Sequence, residues 1–307
     1  MCTSPVTAEP AGNNENSSSG VDIQVIGRRL PEAELREQAN DFVRRSGVAN
    51  KSDPVARWID PVCPKVVGIK PEYAEIFEQQ MHDIAKLTGI RAASKSCAAN
   101  IVVSFTSDGK GVVQQIAERS PTRLSELMSA ERRQLLSSNA PIRWWYNVRT
   151  QNADGMQTVN SDGLLAPAMG TDGTTFSSGV GGESAIGNGT QSVQAYRSSI
   201  ISTLAVRALV KATVVIDVNL SEGYSLDAVA GYAAMVAFAE TKPSAQPMVN
   251  SILGLFEPGH LYDSPTDWDI TLLRTLYAMP HDRAGWKQRR MLVGAIVDAS
   301  RPSEAQQ

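Results

Sequence analysis

Six side chains are of the types that most often do chemistry: the cysteines Cys2, Cys63 and Cys97, and the histidines His82, His260 and His281. No two cysteines form a C-x-x-C pair, so the usual zinc-ribbon and thioredoxin spacings are absent. Cys63 lies in Pro61-Val62-Cys63-Pro64, just ahead of the apolar Val66-Val67. Cys97 precedes Asn100-Ile101-Val102-Val103-Ser104-Phe105. Both runs have strand character and a helical stretch separates them. A strand–helix–strand unit sets two strand starts side by side, so a Cys63–Cys97 disulfide is expected. A loop of that length is worth on the order of 4 kcal/mol in the chain-entropy model, and the bond implies an oxidising compartment. Two buried free thiols are the alternative.

A catalytic zinc takes three protein ligands and keeps one position open. No two of the three histidines share an i, i+4 helix spacing. His82 falls beside the apolar face of a helix and reads as a packing or surface residue. His260 and His281 flank a later helix and could converge, with Asp263, Asp267, Asp269 and Asp282 nearby; a solvated acidic loop is the simpler reading. No metal site and no cofactor are therefore expected. G-x-S-x-G does not occur. Gly179-Val180-Gly181-Gly182 is not followed by Gly-Lys-Ser/Thr, and Ser184 breaks G-x-G-x-x-G. Asp217 and Glu222 end an apolar strand, where α/β sites often lie, but a helix-cap or loop role fits them better. Arg57 and Trp58 could pack as a cation–π pair, and a structural role is expected for both. Lys287, Arg289 and Arg290 read as a solvated helix face.

The elements that must position these groups follow from periodicity. Residues 21–25 alternate like a short strand. Pro31 opens a charged helix to Arg45, with Leu35, Ala39, Phe42 and Val43 on one side. Residues 71–88 form the clearest amphipathic helix, through Tyr73, Ile76, Phe77, Met81, Ile84 and Ala85, and Gly89 stops it. Short helices near 110–118, 122–128 and 130–137 lead to a strand over 142–150 bearing Trp144-Trp145-Tyr146. Residues 151–192, rich in Gly, Ser, Thr, Asn and Asp, read as a long flexible insertion; a long strand pair joined by this tip would serve equally well. A short helix over 196–203 precedes a central strand at 213–218. A nearly all-apolar helix over 225–240 is ended by Lys242-Pro243. Its Tyr232 should put its ring in the core and its hydroxyl on a partner or water. Helices over 268–279, capped by Thr266 or Asp267, and 284–299 close the chain.

The chain has 307 residues, 42% of them hydrophobic and 20% charged, with net charge −3. That composition supports a core, and it lacks the basic excess of a nucleic-acid binder. No stretch is apolar for the roughly 18 residues that a membrane span needs. One α/β domain over 21–300, with a mixed sheet and packed helices, is expected between a disordered leader at 1–20 and a disordered tail at 301–307.

Ser251-Ile252-Leu253 resembles the Met-turn of metzincin-type zinc peptidases, with leucine for methionine. Asp269-Ile270-Thr271-Leu272-Leu273-Arg274-Thr275-Leu276-Tyr277 resembles their closing helix. The helix in the active-site position, Ala228 to Ala237, has no histidine. The resemblance implies a zincin-like scaffold that has lost its metal site. Residues 21–299 also resemble a group of uncharacterised bacterial envelope proteins, mostly alphaproteobacterial. The matching features are Ala56-Arg57-Trp58, Pro61-Val62-Cys63-Pro64, Cys97 before Asn100, Tyr232-Ala233-Ala234-Met235 and Thr266-Asp267-Trp268-Asp269. That group implies a periplasmic or secreted protein, although residues 1–20 lack the apolar core of a signal peptide. A cytoplasmic protein, a start upstream of Cys2, or a lipoprotein-like start at Cys2 all stay open. The expected function is a non-catalytic envelope or binding protein on a degenerate metallopeptidase-like scaffold. The alternative is a divergent hydrolase whose active site carries no familiar motif.

Overall fold

The computed structural model describes residues 30–49, 53–94, 96–124, 127–152, 205–243, 248, 250–260 and 262–301. The chain divides into Met1–Pro31 and Glu32–Gln307, and every element below belongs to the second unit. In chain order these are α1 (Glu32–Arg45), β1 (Arg57–Trp58), β2 (Pro64–Val67), α2 (Pro71–Thr88), β3 (Ile101–Thr106), α3 (Gly109–Arg119), α4 (Ser129–Ser137), β4 (Ile142–Asn152), β5 (Ala205–Asp217), α5 (Leu226–Phe238), α6 (Asp267–Ala278) and α7 (Gly285–Ala299). Short 3-10 turns cover Pro121–Leu124 and Ile252–Gly254. The fold is α/β, with one mixed sheet.

β5 is the hub of that sheet. It pairs in parallel with β1 and with β3, β3 pairs in parallel with β2, and β4 runs antiparallel along β5 from Ile142↔Ile216 to Asn152↔Ala205. The long strand pair expected as an alternative around 151–192 is therefore present, and β5 starts eight residues before the expected strand. Near-continuous Val and Ile suit a strand covered on both faces. Ala212, Val214 and Ile216 face the larger core with α2 and α5. Val215 and Trp145 face a smaller core with Val113, Leu124 and Leu135.

α2 buries Ala74, Phe77, Met81 and Ala85, and leaves Tyr73 and Ile76 exposed. The apolar stripe is rotated from the expected one, because α2 meets both β2 and α5 on the side that Phe77 and Met81 share. Gly89 ends it at φ +76°, a left-handed cap that glycine takes without strain.

α5 is buried on every side from Ala228 to Phe238, as its composition predicts. It lies among β5, α2 and α6. A Cβ on Gly231 would sit 2.7 Å from Pro265 Cδ, so the close approach there depends on glycine. α5 stops at Phe238 rather than running on to Lys242-Pro243. The stretch after it is extended, held by Tyr146, whose hydroxyl bonds Ala239 O at 2.8 Å and accepts from the Thr241 N–H at 3.2 Å. Ala233 is 0% exposed. Replacing it with leucine should cost about 1–3 kcal/mol by overpacking, read as a lower midpoint in urea unfolding; an unchanged midpoint would contradict this packing.

Cys63 and Cys97 form a disulfide with Cα atoms 6.1 Å apart. The parallel register Pro64↔Ile101 sets the two strand starts side by side. Asn100 ties them again, accepting from the Cys63 N–H at 2.7 Å and donating to Pro61 O at 3.0 Å. Cys2, residues 1–20, the strand at 21–25, the helix at 196–203, the tail beyond 301 and the 151–192 segment beyond Asn152 lie outside the described residues.

Candidate binding cleft

A cleft of about 1480 Å³ runs along β4. Consecutive strand residues from Ile142 to Tyr146 line it, so it follows the edge of the strand turned away from β5 and not one face. α4 forms one wall with Met128, Glu131 and Leu135. The other wall is the stretch after α5 with Met248, Leu253, Phe256 and Glu257. β4 has β5 as its only strand partner among the described residues. The phase of that ladder is set where the Asp217 N–H donates to Pro141 O at 2.9 Å. Antiparallel pairs alternate, so Arg143 and Trp145 turn their backbone groups to β5, while those of Ile142, Trp144 and Tyr146 point outward into the cleft.

Strand alternation also splits the aromatic cluster. Trp145 enters the smaller core, while Trp144 and Tyr146 lie on the α5 face. Trp144 meets Tyr232 edge-on at 6.0 Å, and Tyr232 meets Phe256 at 5.3 Å. The Tyr232 ring is in the core as expected. No described residue bonds its hydroxyl, and Tyr232 lines the cleft. Burial pushes its pKa well above the usual phenol value, and the nearby Glu257 carboxylate adds to that.

The charged groups around the cleft are mostly paired. Arg207 makes a fork to Glu240, at 2.6 Å and 2.9 Å, with both side chains largely buried. Lys242 meets Glu131, and Arg45 meets Asp41 at 2.5 Å. Arg143 is 2% exposed. It donates to Ala140 O and Ser138 O, at 2.8 Å and 2.7 Å, and is compensated by the neighbouring Asp217 and Asp108. Glu257 accepts from the Met248 N–H at 2.9 Å. Burial raises its pKa against the pull of that bond and of Arg45.

The residues that the sequence singles out lie elsewhere. Asp217 is buried and accepts from the Gly109 N–H at 2.8 Å and the Asn219 N–H at 3.1 Å. It caps α3 and its own turn, the structural role expected; Glu222 is exposed in that turn. His260 packs against Tyr224 and lies 3.5 Å from Asp263. His281 is past the far end of α6 and its Nδ1 accepts from Arg57 Nε at 3.0 Å. The two histidines therefore do not converge: α6, about 18 Å long, separates the segments that carry them. Among the described residues no three His, Cys, Asp or Glu side chains gather. His82 bonds the Glu78 carbonyl of its own helix. Asp269 is fully buried beneath the Ser251 turn, not in a solvated loop. Asp267 is exposed at the start of α6, and Asp282 pairs with Arg283 at 2.8 Å. Lys287 lies over the Trp286 ring and Arg290 is exposed, whereas Arg289 is half-buried.

Arg57 is 6% exposed and donates to Met279 O at 2.9 Å. Its guanidinium lies 6.0 Å from the Tyr277 ring and not over Trp58, whose indole N–H is used on Ala237 O at 2.8 Å. Adjacent strand residues point to opposite sides, so neighbours in sequence do not stack. Burial pushes the Arg57 pKa down to about 10, which leaves it charged at neutral pH. Burial, then the Arg57 charge, lower the His281 pKa from 6.5 to about 4. Between those values the unfolded chain takes up a proton that the fold refuses. Stability from this residue is complete above about pH 6.5 and declines as the pH falls to 4. His281→Gln keeps an acceptor for Arg57 and cannot titrate, so its unfolding free energy should fall less over that interval. An equal pH slope in urea titrations would contradict the assignment.

The cleft residues carry only a weak signal in the sequence. Trp144-Trp145-Tyr146 is visible as an aromatic run, but Glu257, Tyr232, Glu240 and Lys242 are brought to it from other elements. Comparison of the chain with family models, curated proteins and solved structures finds no match.

Proposed function

We propose that this is a binding protein whose cleft takes an extended polypeptide segment as an added strand against β4. The observation that carries this reading is a strand edge over Ile142–Tyr146 that pairs with no strand among the described residues, with the outward backbone groups of Ile142, Trp144 and Tyr146 facing a cleft of about 1480 Å³. Small-molecule pockets are commonly about 300–1,000 Å³, and this volume suits a polymer segment better. Strand addition uses main-chain hydrogen bonds for affinity and side-chain pockets for choice of partner. The scaffold reading rests on the zincin-like resemblance, in which the histidine-free α5 corresponds to the active-site helix; Ser251-Ile252-Leu253 is bonded to the buried Asp269 of α6. We place the protein in the cell envelope, on the Cys63–Cys97 disulfide and the resemblance to envelope proteins. No helix among the described residues is long and apolar enough to cross a membrane.

The second reading is a divergent hydrolase. It is favoured by one observation, the Glu257 carboxyl with its raised pKa beside Tyr232 in the cleft, since such carboxyls suit general acid–base work. Both readings are tested by passing an acetylated octapeptide pool, randomised at every position, over the immobilised full-length chain. The binding reading expects intact peptides to be retained, and expects no retention of a pool methylated at alternate backbone nitrogens. Shortened peptides in the flow-through would establish the hydrolase. If no peptide is retained or cleaved, both fail.

A further inference from the structure

Every basic side chain at the cleft already has an acidic neighbour. Arg207 has Glu240, Lys242 has Glu131, Arg45 has Asp41 and Arg143 has Asp217. Glu257 differs: it is a cleft carboxylate with no ion-pair partner within 4.0 Å among the described residues, and its Oε2 is used on the Met248 N–H. Arg45 attracts it from α1, but that guanidinium is bonded to Asp41 at 2.5 Å. Tyr232 lines the same part of the cleft, its ring 5.3 Å from that of Phe256, the residue before Glu257; its side chain is only 8% exposed and its hydroxyl has no hydrogen-bond partner among the described residues. The surrounding surface is aromatic, from Trp144, Tyr232 and Phe256 in edge-on contact.

A ligand group closing over this end must answer three features at once. An apolar group would bury a phenol without a partner and a carboxylate whose charge only one backbone N–H answers, which is costly. An anion would add repulsion from Glu257. An organic cation supplies N–H donors to both oxygens and meets aromatic faces that attract positive charge. We infer that the end of the cleft built by Tyr232, Phe256 and Glu257 is a specificity site for a basic side chain, a lysine ammonium or an arginine guanidinium, of the bound segment. This rests on the strand-addition reading above and adds the chemical identity of one side chain.

The experiment is sequencing of the octapeptides retained by the full-length wild-type chain, by Glu257→Gln and by Tyr232→Phe. The glutamine keeps a carbonyl acceptor for the Met248 N–H, and the phenylalanine keeps the ring contacts, so both folds should persist. Wild type should enrich Lys or Arg at one fixed position by about tenfold, Glu257→Gln should abolish that enrichment while still retaining peptides, and Tyr232→Phe should reduce it several-fold. Retained peptides with no basic preference, or a preference unchanged in Glu257→Gln, would overturn the specificity site and leave strand addition standing. A wild-type chain that retains no peptide would overturn strand addition and this site together.

Discussion

Asp269→Ala should destabilise the protein by about 4 kcal/mol, while Asp269→Asn costs about 1 kcal/mol. The side chain is 0% exposed. Its Oδ1 accepts from Ser251 Oγ at 2.6 Å, and its Oδ2 accepts from the Ile252 N–H at 2.8 Å and the Thr266 N–H at 2.9 Å. One carboxylate thereby caps α6 and fastens the 251–254 turn to it. Burial raises its pKa while these donors pull it back. Alanine strands two backbone N–H groups away from water, and each orphan costs about 1–3 kcal/mol. Asparagine can set its carbonyl oxygen where Oδ2 lies, keeping both N–H bonds, and point its amide at Ser251, whose hydroxyl can turn round to accept. The check is the difference in urea midpoints between the two variants. Equal losses would mean that the charge, and not the acceptor geometry, holds the turn.

Removing the disulfide should be about as costly and mechanistically opposite. Cys63→Ser with Cys97→Ser opens a loop closed across a sequence separation of 34, worth about 4 kcal/mol in the chain-entropy model. For a chain of this size that lowers Tm by roughly 10 °C. The loss falls on the unfolded state, because Asn100 still ties Cys63 and Pro61 to the start of β3. The folded double variant should therefore keep its far-ultraviolet spectrum at 25 °C, and the wild type should lose the same Tm in reductant. A double variant as stable as wild type would remove the constraint on the unfolded chain as the source of the effect.

Much of the architecture was legible in the residues. The α/β class, the apolar α5, the amphipathic α2 with its glycine stop and the Cys63–Cys97 pairing all rest on local rules: periodicity, caps, and the geometry of a strand–helix–strand unit. Such rules act over a few residues or one connection. The cleft is different. Tyr146, Tyr232, Glu240, Lys242 and Glu257 come from separate elements, and no spacing between them announces a site. The edge position of β4 was equally out of reach, since a strand shows its alternation but not whether one neighbour or two will pair with it. The failed Arg57–Trp58 stack and the separation of His260 from His281 have one cause. Adjacency in sequence sets which residues are joined, while side-chain direction and helix length set which ones meet. The sequence by itself determined most of the long elements, though not all of their ends, and the covalent staple. Only the tertiary structure decided which strand edge borders the cleft, which charges are matched and which carboxylate faces the cleft without an ion-pair partner among the described residues, because those are outcomes of packing between elements far apart in the chain.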